Sequence, residues 1–272
     1  MSRLDAAFAR LRSQGRKALV PFITAGDPSL DATVPVMHAL VEAGADVIEL
    51  GVPFSDPMAD GPVIQQASER AIAQGGGLSD VLSSVRRFRQ TDDSTPVVLM
   101  GYLNPVEIRG AEDFAQTAAD SGIDGMLLVD LPPEEAESYR TAFVRAGIAL
   151  IWLVSPTTDE ARMALLERAA QGYLYYVSYA GVTGADRLGT HDASARLAGI
   201  RQRCAVPVLA GFGIRDAGSA VAMARAADGV VVGSALVAAM ADAVDPADAA
   251  RRAAAFLTPL RAALDGEYEG VG

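Results

Sequence analysis

Cysteine, lysine and histidine are nearly absent from the 272-residue sequence, which contains one, one and two of them. The single cysteine, Cys204, excludes an intramolecular disulfide and fits a reducing compartment. Its apolar neighbours indicate a buried, inert thiol rather than a nucleophile. The N-terminal residues lack the apolar core of a signal peptide, and no apolar run reaches the roughly 20 residues needed to span a bilayer. We therefore expect a cytoplasmic protein.

Basic side chains are also scarce relative to acidic ones. The sequence has 23 lysines and arginines against 34 aspartates and glutamates, which gives a net charge of -11 and a pI near 4.7. Nucleic acids and anionic membranes both require a basic surface, so this composition argues against either as a partner. Any anion that the protein binds must be held by local groups.

Short apolar runs alternate along the chain with segments of helical periodicity. Eight runs predict strands, and they cover residues 18–25, 47–52, 96–101, 125–129, 149–154, 173–178, 208–211 and 229–232. Between them, apolar residues recur at helical spacing, for example in 30–43, 78–89, 111–121, 133–146 and 159–170. The runs are nearly continuous in apolar residues, which is typical of parallel strands covered on both faces.

Eight such units predict an α/β fold, a single (β/α)8 TIM barrel domain over residues 1–272 with an extra N-terminal helix. An open, doubly wound sheet is the alternative. It usually carries a glycine-rich nucleotide-binding turn after its first strand, and residues 24–28, Thr-Ala-Gly-Asp-Pro, do not form one.

A carboxylate lies inside the second predicted strand. Glu49 stands in Val-Ile-Glu-Leu, residues 47–50, where an uncompensated charge would cost several kcal/mol, so it should be partnered, protonated or functional. Asp56 and Asp60 follow in a loop rich in glycine and proline. Such acids can act as separate proton donors and acceptors, because burial raises one carboxyl pKa while hydrogen-bond donors lower another. The structural alternative is a buried glutamate bonded to backbone, followed by an ordinary acidic loop.

Strands 7 and 8 both end in glycine-rich turns, Ala-Gly-Phe-Gly-Ile at 210–214 and Val-Gly-Ser-Ala at 232–235. Gly213 and Gly233 let backbone N–H groups approach an oxygen closely, and Ser234 adds a hydroxyl at a helix N-terminus whose dipole favours an anion. At these two positions of a barrel, the pattern favours a phosphate site that requires no lysine or arginine. Alternatively, the glycines only permit tight turns.

The segment after strand 6, residues 178–189, contains three glycines and has the composition of a loop built to move. Closing over a ligand would exclude water, bring Thr183 toward an active-site acid and offer the Gly184 N–H to the phosphate. A disordered surface loop is the alternative.

These segments resemble the signature of the tryptophan synthase alpha subunit family. Residues 48–61 match its Glu- and Asp-bearing motif without a break, and 21–28, 181–184 and 211–213 match its other blocks, in order over essentially the whole chain. The resemblance implies a barrel that cleaves indole-3-glycerol phosphate into indole and D-glyceraldehyde 3-phosphate by a retro-aldol reaction. It also implies a beta-subunit partner that uses pyridoxal phosphate, in an α2β2 heterotetramer, and no cofactor in this chain.

The resemblance assigns the chemistry to two acids. Asp60 would hold the indole N–H and stabilise positive charge on the ring, while Glu49 would protonate C3 and help to remove the hydroxyl proton. The only lysine, Lys17, lies near the N-terminus, which argues against an imine-forming aldolase. His38 and His191 do not stand in ligand positions, so we expect no metal site.

The implied substrate contacts lie near the C-terminal ends of strands, where a barrel has its active face. They are Phe22, Tyr102, Tyr175, Thr183, Gly184, Phe212, Gly213, Gly233 and Ser234. Phe22, Tyr175 and Phe212 would line an apolar slot for the indole ring, although aromatic residues on barrel strands are more often core. We expect Trp152, within the fifth strand, to be a packing residue and not a site.

Asp56, Pro57, Asp130 and Pro132 match family positions associated with communication between subunits. Residues 130–133 also have the pattern of a helix N-terminus, with the acid as cap and proline in the first turn. Tyr179 departs from the family, in which some members have a basic or small residue at this position. The contacts that the loop makes when it closes are therefore not predicted.

Other functions remain open at this point. One is a stand-alone indole-releasing lyase of the same family, and another is a phosphate-binding barrel isomerase or epimerase. A third is a non-catalytic activator of a partner enzyme, although such a binding module has no reason to bury Glu49 on a strand.

Overall fold

The computed structural model describes residues 1–177, 196–211 and 213–266. The sequence predictions for Thr183, Gly184, Tyr179, His191 and Phe212 therefore lie outside the described residues, as does the loop at 178–189.

Eight parallel strands close into a barrel in sequence order. They are β1 (Ala18–Thr24), β2 (Ile48–Gly51), β3 (Val97–Gly101), β4 (Gly125–Leu128), β5 (Ala149–Val154), β6 (Leu174–Val177), β7 (Val208–Gly211) and β8 (Gly229–Val232). The barrel is closed by parallel pairing of β1 with β8. The predicted (β/α)8 barrel is confirmed, and the open doubly wound sheet is wrong.

Helices connect the strands in the described part of the chain. They are α1 (Arg3–Ser13), α2 (Thr33–Glu42), α3 (Pro62–Ala73), α4 (Leu78–Phe88), α5 (Leu103–Glu107), α6 (Ala111–Asp120), α7 (Glu137–Ala146), α8 (Glu160–Ala169), α9 (196–203), α10 (Ala217–Ala224), α11 (Ser234–Met240) and α12 (Pro246–Gly266). Short 3-10 turns at Leu30–Ala32 and Pro133–Glu135 precede α2 and α7. Within the described ranges, none of these helices has both the length and the apolar character needed to cross a membrane.

Successive side chains of a strand point to opposite sides, so the barrel has two apolar layers. In β1, Val20 and Phe22 belong to the inner layer, whereas Leu19 and Ile23 pack in the outer layer beneath the helices. The same alternation in β2 places Ile48 and Leu50 outside and therefore directs the residue between them into the barrel.

The predicted extra N-terminal helix, α1, covers the N-terminal end of the barrel. Ser2 and Asp5 form a capping box at its start, and Leu4 belongs to the inner apolar layer. The Leu4 side chain lies beside Gly125 and Gly172, at the beginnings of β4 and β6. One end of the barrel is thus closed by an apolar helix face, which leaves the C-terminal end for a site.

Lys17 and Cys204 are placed away from catalytic chemistry. Lys17, just before β1, is buried and donates a hydrogen bond from Nζ to the Ala227 carbonyl oxygen, 2.6 Å away. Cys204 is half-buried and not fully buried as predicted, because it follows α9 at the edge of the outer layer. Burial still raises the pKa of its thiol to about 11, so the thiol is protonated near neutral pH and unreactive.

Candidate active site

A cavity of about 1300 Å³ is lined by residues at the C-terminal ends of the strands and by the loops that follow them. Its wall includes Phe22, Glu49, Asp60, Ile64, Met100, Val129, Asp130, Pro132, Leu153, Tyr175, Gly213, Ile214, Arg215, Gly233 and Ser234. Both predicted catalytic acids are therefore in one cavity, together with five of the predicted substrate contacts. The strand residues of the wall are mostly apolar, with Glu49 as the charged exception, and the loops add Asp60, Asp130 and Arg215. A mostly apolar wall with a few polar groups is typical of a small-molecule site.

Glu49 lies on β2 between Phe22 of β1 and Val98 of β3, and its side chain points into the barrel. The residue is completely buried. The Tyr173 hydroxyl donates a hydrogen bond to Oε1, whereas Oε2 is buried without a hydrogen-bond partner among the described residues. Burial raises the pKa of Glu49 to about 7, and the bond from Tyr173 opposes this shift.

The unpartnered Oε2 atom distinguishes Glu49 from a structural carboxylate. A buried polar atom without a partner costs roughly 1–3 kcal/mol, so such atoms are rare in cores. Here Glu49 also lines the cavity, where a ligand can supply the missing partner. With a pKa of about 7, the group has both its protonated and its ionised form available near neutral pH. The alternative of a glutamate bonded to backbone is wrong.

Asp60 lies on the loop after β2 and enters the same cavity. The Tyr102 hydroxyl donates to its Oδ2 atom at 3.1 Å, and the same hydroxyl accepts the Ala59 backbone N–H at 3.0 Å. Burial raises the pKa of Asp60, and the bond from Tyr102 lowers it. The Phe54 ring stacks on Tyr102 with 5.0 Å between ring centroids, so the tyrosine is held on a second side.

Tyr102 was predicted to contact the substrate, but within the described part of the chain it does not line the cavity. It stands behind Asp60 and bonds the loop that carries this acid. The loop is also fixed by Gln65, whose side-chain amide donates to the Asp60 carbonyl oxygen at 2.9 Å. The structure thus gives Tyr102 a contact with the acid, and its contact with the substrate stays a prediction.

Tyr173, the hydrogen-bond partner of Glu49, was not predicted as a site residue. It is completely buried directly before β6 and contacts the ring of Phe8 from α1. The available signal is its spacing: Tyr173 and Tyr175 are two positions apart, so one inward-facing tyrosine implies the other. Tyr175 lines the cavity, and a side chain at Gly211 would place a Cβ 2.7 Å from its Cζ atom.

The predicted phosphate residues of the described chain lie on two neighbouring strand ends, β7 and β8. Gly213 has a φ of +69°, and a Cβ built there would meet no atom within 4 Å, so its backbone is open to the cavity. Gly233 precedes Ser234, the first residue of α11, and both line the cavity. These three residues could therefore contact one ligand group.

The four residues predicted to couple subunits lie on the loops after β2 and β4, at the C-terminal end of the barrel, and we call this surface the rim. Asp130 and Pro132 also line the cavity. Asp56 is exposed and accepts a hydrogen bond from Ser55 at 2.7 Å, and Pro57 belongs to the same loop. The sequence pattern suggested that Asp130 caps the helical segment that follows it, but the structure shows a different contact. Its Oδ1 atom accepts the Leu103 N–H at 2.8 Å and so bonds the start of α5, while Pro132 precedes the 3-10 turn that begins at Pro133.

Trp152 packs as predicted, but it also lines the cavity, and His38 has structural contacts. The Trp152 indole N–H donates to the Ala169 carbonyl oxygen at 3.3 Å, and the residue belongs to the outer apolar layer. His38 packs against Phe88 with 4.7 Å between ring centroids. Among residues 1–177, 196–211 and 213–266, no group of three or more His, Cys, Asp or Glu side chains is placed to hold a metal ion.

Comparison with known proteins agrees with this geometry. The family model described as tryptophan synthase alpha chain matches residues 8–264. The chain belongs to the tryptophan synthase alpha chain family. A relative of that name from Xanthomonas oryzae pv. oryzae is 67% identical over 266 residues, covering 97% of this chain and 99% of the relative. Another from Xylella fastidiosa is 68% identical over 265 residues with the same coverage.

Solved structures give the same result. Tryptophan synthase subunit alpha from Legionella pneumophila superposes with a TM-score of 0.91 at 45% identity, covering 98% of this chain and 99% of that one. A chain from the tryptophan synthase α2β2 complex of Pyrococcus furiosus superposes with a TM-score of 0.81 at 33% identity, covering 90% and 98%. The tryptophan synthase alpha chain family carries out the carbon–carbon lyase step of tryptophan biosynthesis that cleaves indole-3-glycerol phosphate. The isomerase and epimerase alternatives are therefore wrong.

Proposed function

We propose that this chain cleaves indole-3-glycerol phosphate with Glu49 as the proton donor and acceptor and Asp60 as the electrostatic partner of the indole ring. The observation that carries the proposal is the buried, unpartnered Oε2 atom of Glu49 in the cavity that Asp60 also lines. A carboxyl group with a pKa of about 7 suits both directions of proton transfer near neutral pH.

The reaction needs one proton added and one removed. Protonated Glu49 donates its proton to indole C3, which leaves the positive charge on the ring. The ionised Glu49 then accepts the proton of the glycerol hydroxyl next to C3, and the oxygen electrons form the aldehyde carbonyl. The electron pair of the broken C–C bond returns to the ring and neutralises it. Indole and D-glyceraldehyde 3-phosphate are released, and Glu49 is again protonated, so no external proton is consumed.

Asp60 acts on the charge that develops on the ring. An ionised carboxylate that accepts the indole N–H becomes a stronger hydrogen-bond partner as that nitrogen becomes positive, so it favours the transition state over the substrate. The Tyr102 bond supports this role because it lowers the pKa of Asp60 against the effect of burial.

The substrate phosphate is proposed to lie beside Gly213, Gly233 and Ser234. Support comes from the open backbone at Gly213 and from the position of Ser234 at the start of α11, both in the cavity wall. Thr183 and Gly184 complete this site in the proposal. Phe22, Tyr175 and Phe212 are assigned to the indole ring, since Phe22 and Tyr175 border the cavity.

A beta subunit is the proposed partner, in an α2β2 assembly in which the beta subunit holds pyridoxal phosphate and this chain holds no cofactor. The α2β2 complex of the Pyrococcus furiosus relative supports this. The rim that carries Asp56, Pro57, Asp130 and Pro132 is the proposed docking surface. Met58, which follows Pro57, is 86% exposed and adds an apolar side chain to this surface. A cytoplasmic location is also proposed, because the single thiol fits a reducing compartment.

Indole release from indole-3-glycerol phosphate tests the proposal, measured with the purified chain alone and with its cognate beta subunit. Glu49→Gln and Asp60→Asn should each fold and lose turnover by about 10²–10⁴-fold. Glu69→Gln, on the exposed side of α3, makes a matched chemical change and should retain full activity. Full activity in either cavity variant would refute the assigned roles.

The partner dependence separates the remaining alternatives. Weak activity that rises strongly with the beta subunit supports the alpha-subunit role. High activity of the isolated chain identifies a stand-alone lyase, and no activity under either condition contradicts the proposed catalytic role and favours a regulatory one.

A further inference from the structure

Two of the described residues that line the cavity are basic, Arg162 and Arg215. The Arg162 guanidinium is already engaged, because it donates to both carboxylate oxygens of Glu134 at 3.1 and 2.9 Å. The exposed guanidinium of Arg215 makes no hydrogen bond or ion pair with any residue in the described ranges. Its charge acts on the neighbouring Asp216, whose pKa is lowered by hydrogen bonds from Ser219 and, to a smaller extent, by Arg215. Arg215 is thus the cavity cation that remains available for a ligand.

The backbone of Arg215 is held by hydrogen bonds, whereas its guanidinium is not. Its N–H donates to Ser219 Oγ at 3.0 Å, and the Asp216 N–H donates to the same oxygen at 3.1 Å. The Asp216 carboxylate, the acid next to Arg215, accepts the Ser219 N–H at 2.8 Å and caps α10. The Cα atom of Arg215 therefore keeps its place at the cavity, and the neighbouring acid is occupied by the helix start.

The negative charge of the cavity makes a cation at its wall favourable for binding an anion. Glu49, Asp60 and Asp130 line the same cavity, and the whole chain has a net charge of -11. A phosphate monoester carries about 1.5–2 negative charges near neutral pH, so its entry is opposed unless a cation compensates. Arg215 stands two positions after Gly213, in the same turn as the proposed phosphate site.

We propose that Arg215 is a further phosphate-recognition residue, whose guanidinium donates charge-assisted hydrogen bonds to the phosphate of the substrate at the mouth of the cavity. This inference rests on the proposed function, which assigns the phosphate to Gly213, Gly233 and Ser234. The phosphate is present in both the bound substrate and the transition state, so the contact should lower KM and leave kcat unchanged.

The test compares Arg215→Gln and Arg215→Lys with Arg12→Gln in steady-state indole release by the full chain. Arg12→Gln removes the same charge from the exposed face of α1, at the opposite end of the barrel, and controls for net charge. Arg215→Gln should raise KM about three- to tenfold with kcat unchanged, Arg215→Lys should restore part of the loss, and Arg12→Gln should have no effect. Raising KCl from about 0.05 M to about 0.5 M should increase KM of the native chain more than that of Arg215→Gln.

Competition by glycerol 3-phosphate, measured for the same variants and for Ser234→Ala, separates this inference from the proposed site. Weaker inhibition in both Arg215→Gln and Ser234→Ala supports the inference. Unchanged KM and inhibition in Arg215→Gln, with weaker inhibition in Ser234→Ala, overturns the role of Arg215 and retains the phosphate site. Unchanged values in both variants and in Gly213→Val overturn the phosphate site as well. A fall in kcat of Arg215→Gln with KM unchanged also contradicts the inference.

Discussion

Glu49→Gln is expected to stabilise the folded chain in alkaline solution, although it removes the proposed proton donor. The carboxyl is completely buried, and burial raises its pKa from 4.5 to about 7. Between these two values the folded state binds more protons at this site than the unfolded state, so the free energy of unfolding falls as the pH rises. The ionised carboxylate is therefore a cost to the fold that a neutral glutamine avoids.

The size of this cost follows from the two pKa values. A shift from 4.5 to about 7 corresponds to about 3 kcal/mol of lost stability well above pH 7. At about pH 5.5 the same relation gives a stability loss of only about 1 kcal/mol, because most of the buried carboxyl is still protonated in the folded state there. Penalties from the new amide group do not depend on pH. The stability of the variant minus that of the native chain should therefore increase by about 2 kcal/mol between about pH 5.5 and about pH 8.5.

Urea unfolding at a series of pH values, followed by circular dichroism, measures this difference. Glu69→Gln makes the same change on the exposed side of α3, and its difference from the native chain should stay constant with pH. Curves for Glu49→Gln and the native chain that run parallel across the range would refute the raised pKa, and with it the two-way proton transfer assigned to Glu49.

Three other variants test the surroundings of the acids. Tyr102→Phe removes the hydroxyl that lowers the pKa of Asp60, so the acid limb of the pH–kcat profile should move to higher pH; an unmoved limb would contradict this. Gly211→Ala adds a Cβ about 2.7 Å from Tyr175 Cζ, which should displace the tyrosine, raise KM and lower stability by about 1–3 kcal/mol through overpacking. A normal KM in a folded variant would show that Tyr175 does not line the indole slot. Ile108 follows α5 and is 78% exposed. The Ile108→Ser variant should bind the beta subunit about 1 kcal/mol or more weakly in calorimetry, with unchanged activity of the isolated chain. An unchanged affinity would place the interface elsewhere.

The barrel was predictable because its strands are apolar on both faces and alternate regularly with segments of helical periodicity. The helix boundaries were less predictable from the sequence. Residues 133–146 were predicted as one helix, but they form a 3-10 turn at Pro133–Glu135 followed by α7. Pro132 and Pro133 fix the chain direction at this start, and the periodicity of apolar residues alone does not distinguish a tight turn from the helix that continues it.

The site was predictable where one residue contradicts its surroundings. Glu49 is conspicuous because an acid inside an apolar strand requires an explanation, and this contrast is visible from the three apolar neighbours Val47, Ile48 and Leu50. Tyr173 is not conspicuous, since a tyrosine at the start of a strand has the pattern of a core residue. The two meet 124 positions apart, and only the closing of the barrel brings them together.

Asp130 shows how a local rule can fail for a tertiary reason. An acid before two prolines has the pattern of a helix cap, and the carboxylate does bond a free N–H at a helix start. The helix is α5, however, and the donor is Leu103, 27 positions earlier in the chain. Since Leu103 follows Tyr102, the rim residue Asp130 and the cavity residue Asp60 contact adjacent residues at the start of α5.

The hydrogen bond from Tyr173 also decides which oxygen of Glu49 carries the proton. Burial and the charge of Glu49 raise the pKa of Tyr173 well above its usual value, so the phenol stays protonated and donates to Oε1 in this structure. When Glu49 is protonated, its proton therefore belongs on Oε2, the atom without a partner among the described residues. The buried tyrosine thus leaves Oε2 as the proton-bearing atom, and the same unpaired oxygen that costs the fold stability is the one proposed to exchange protons with the substrate.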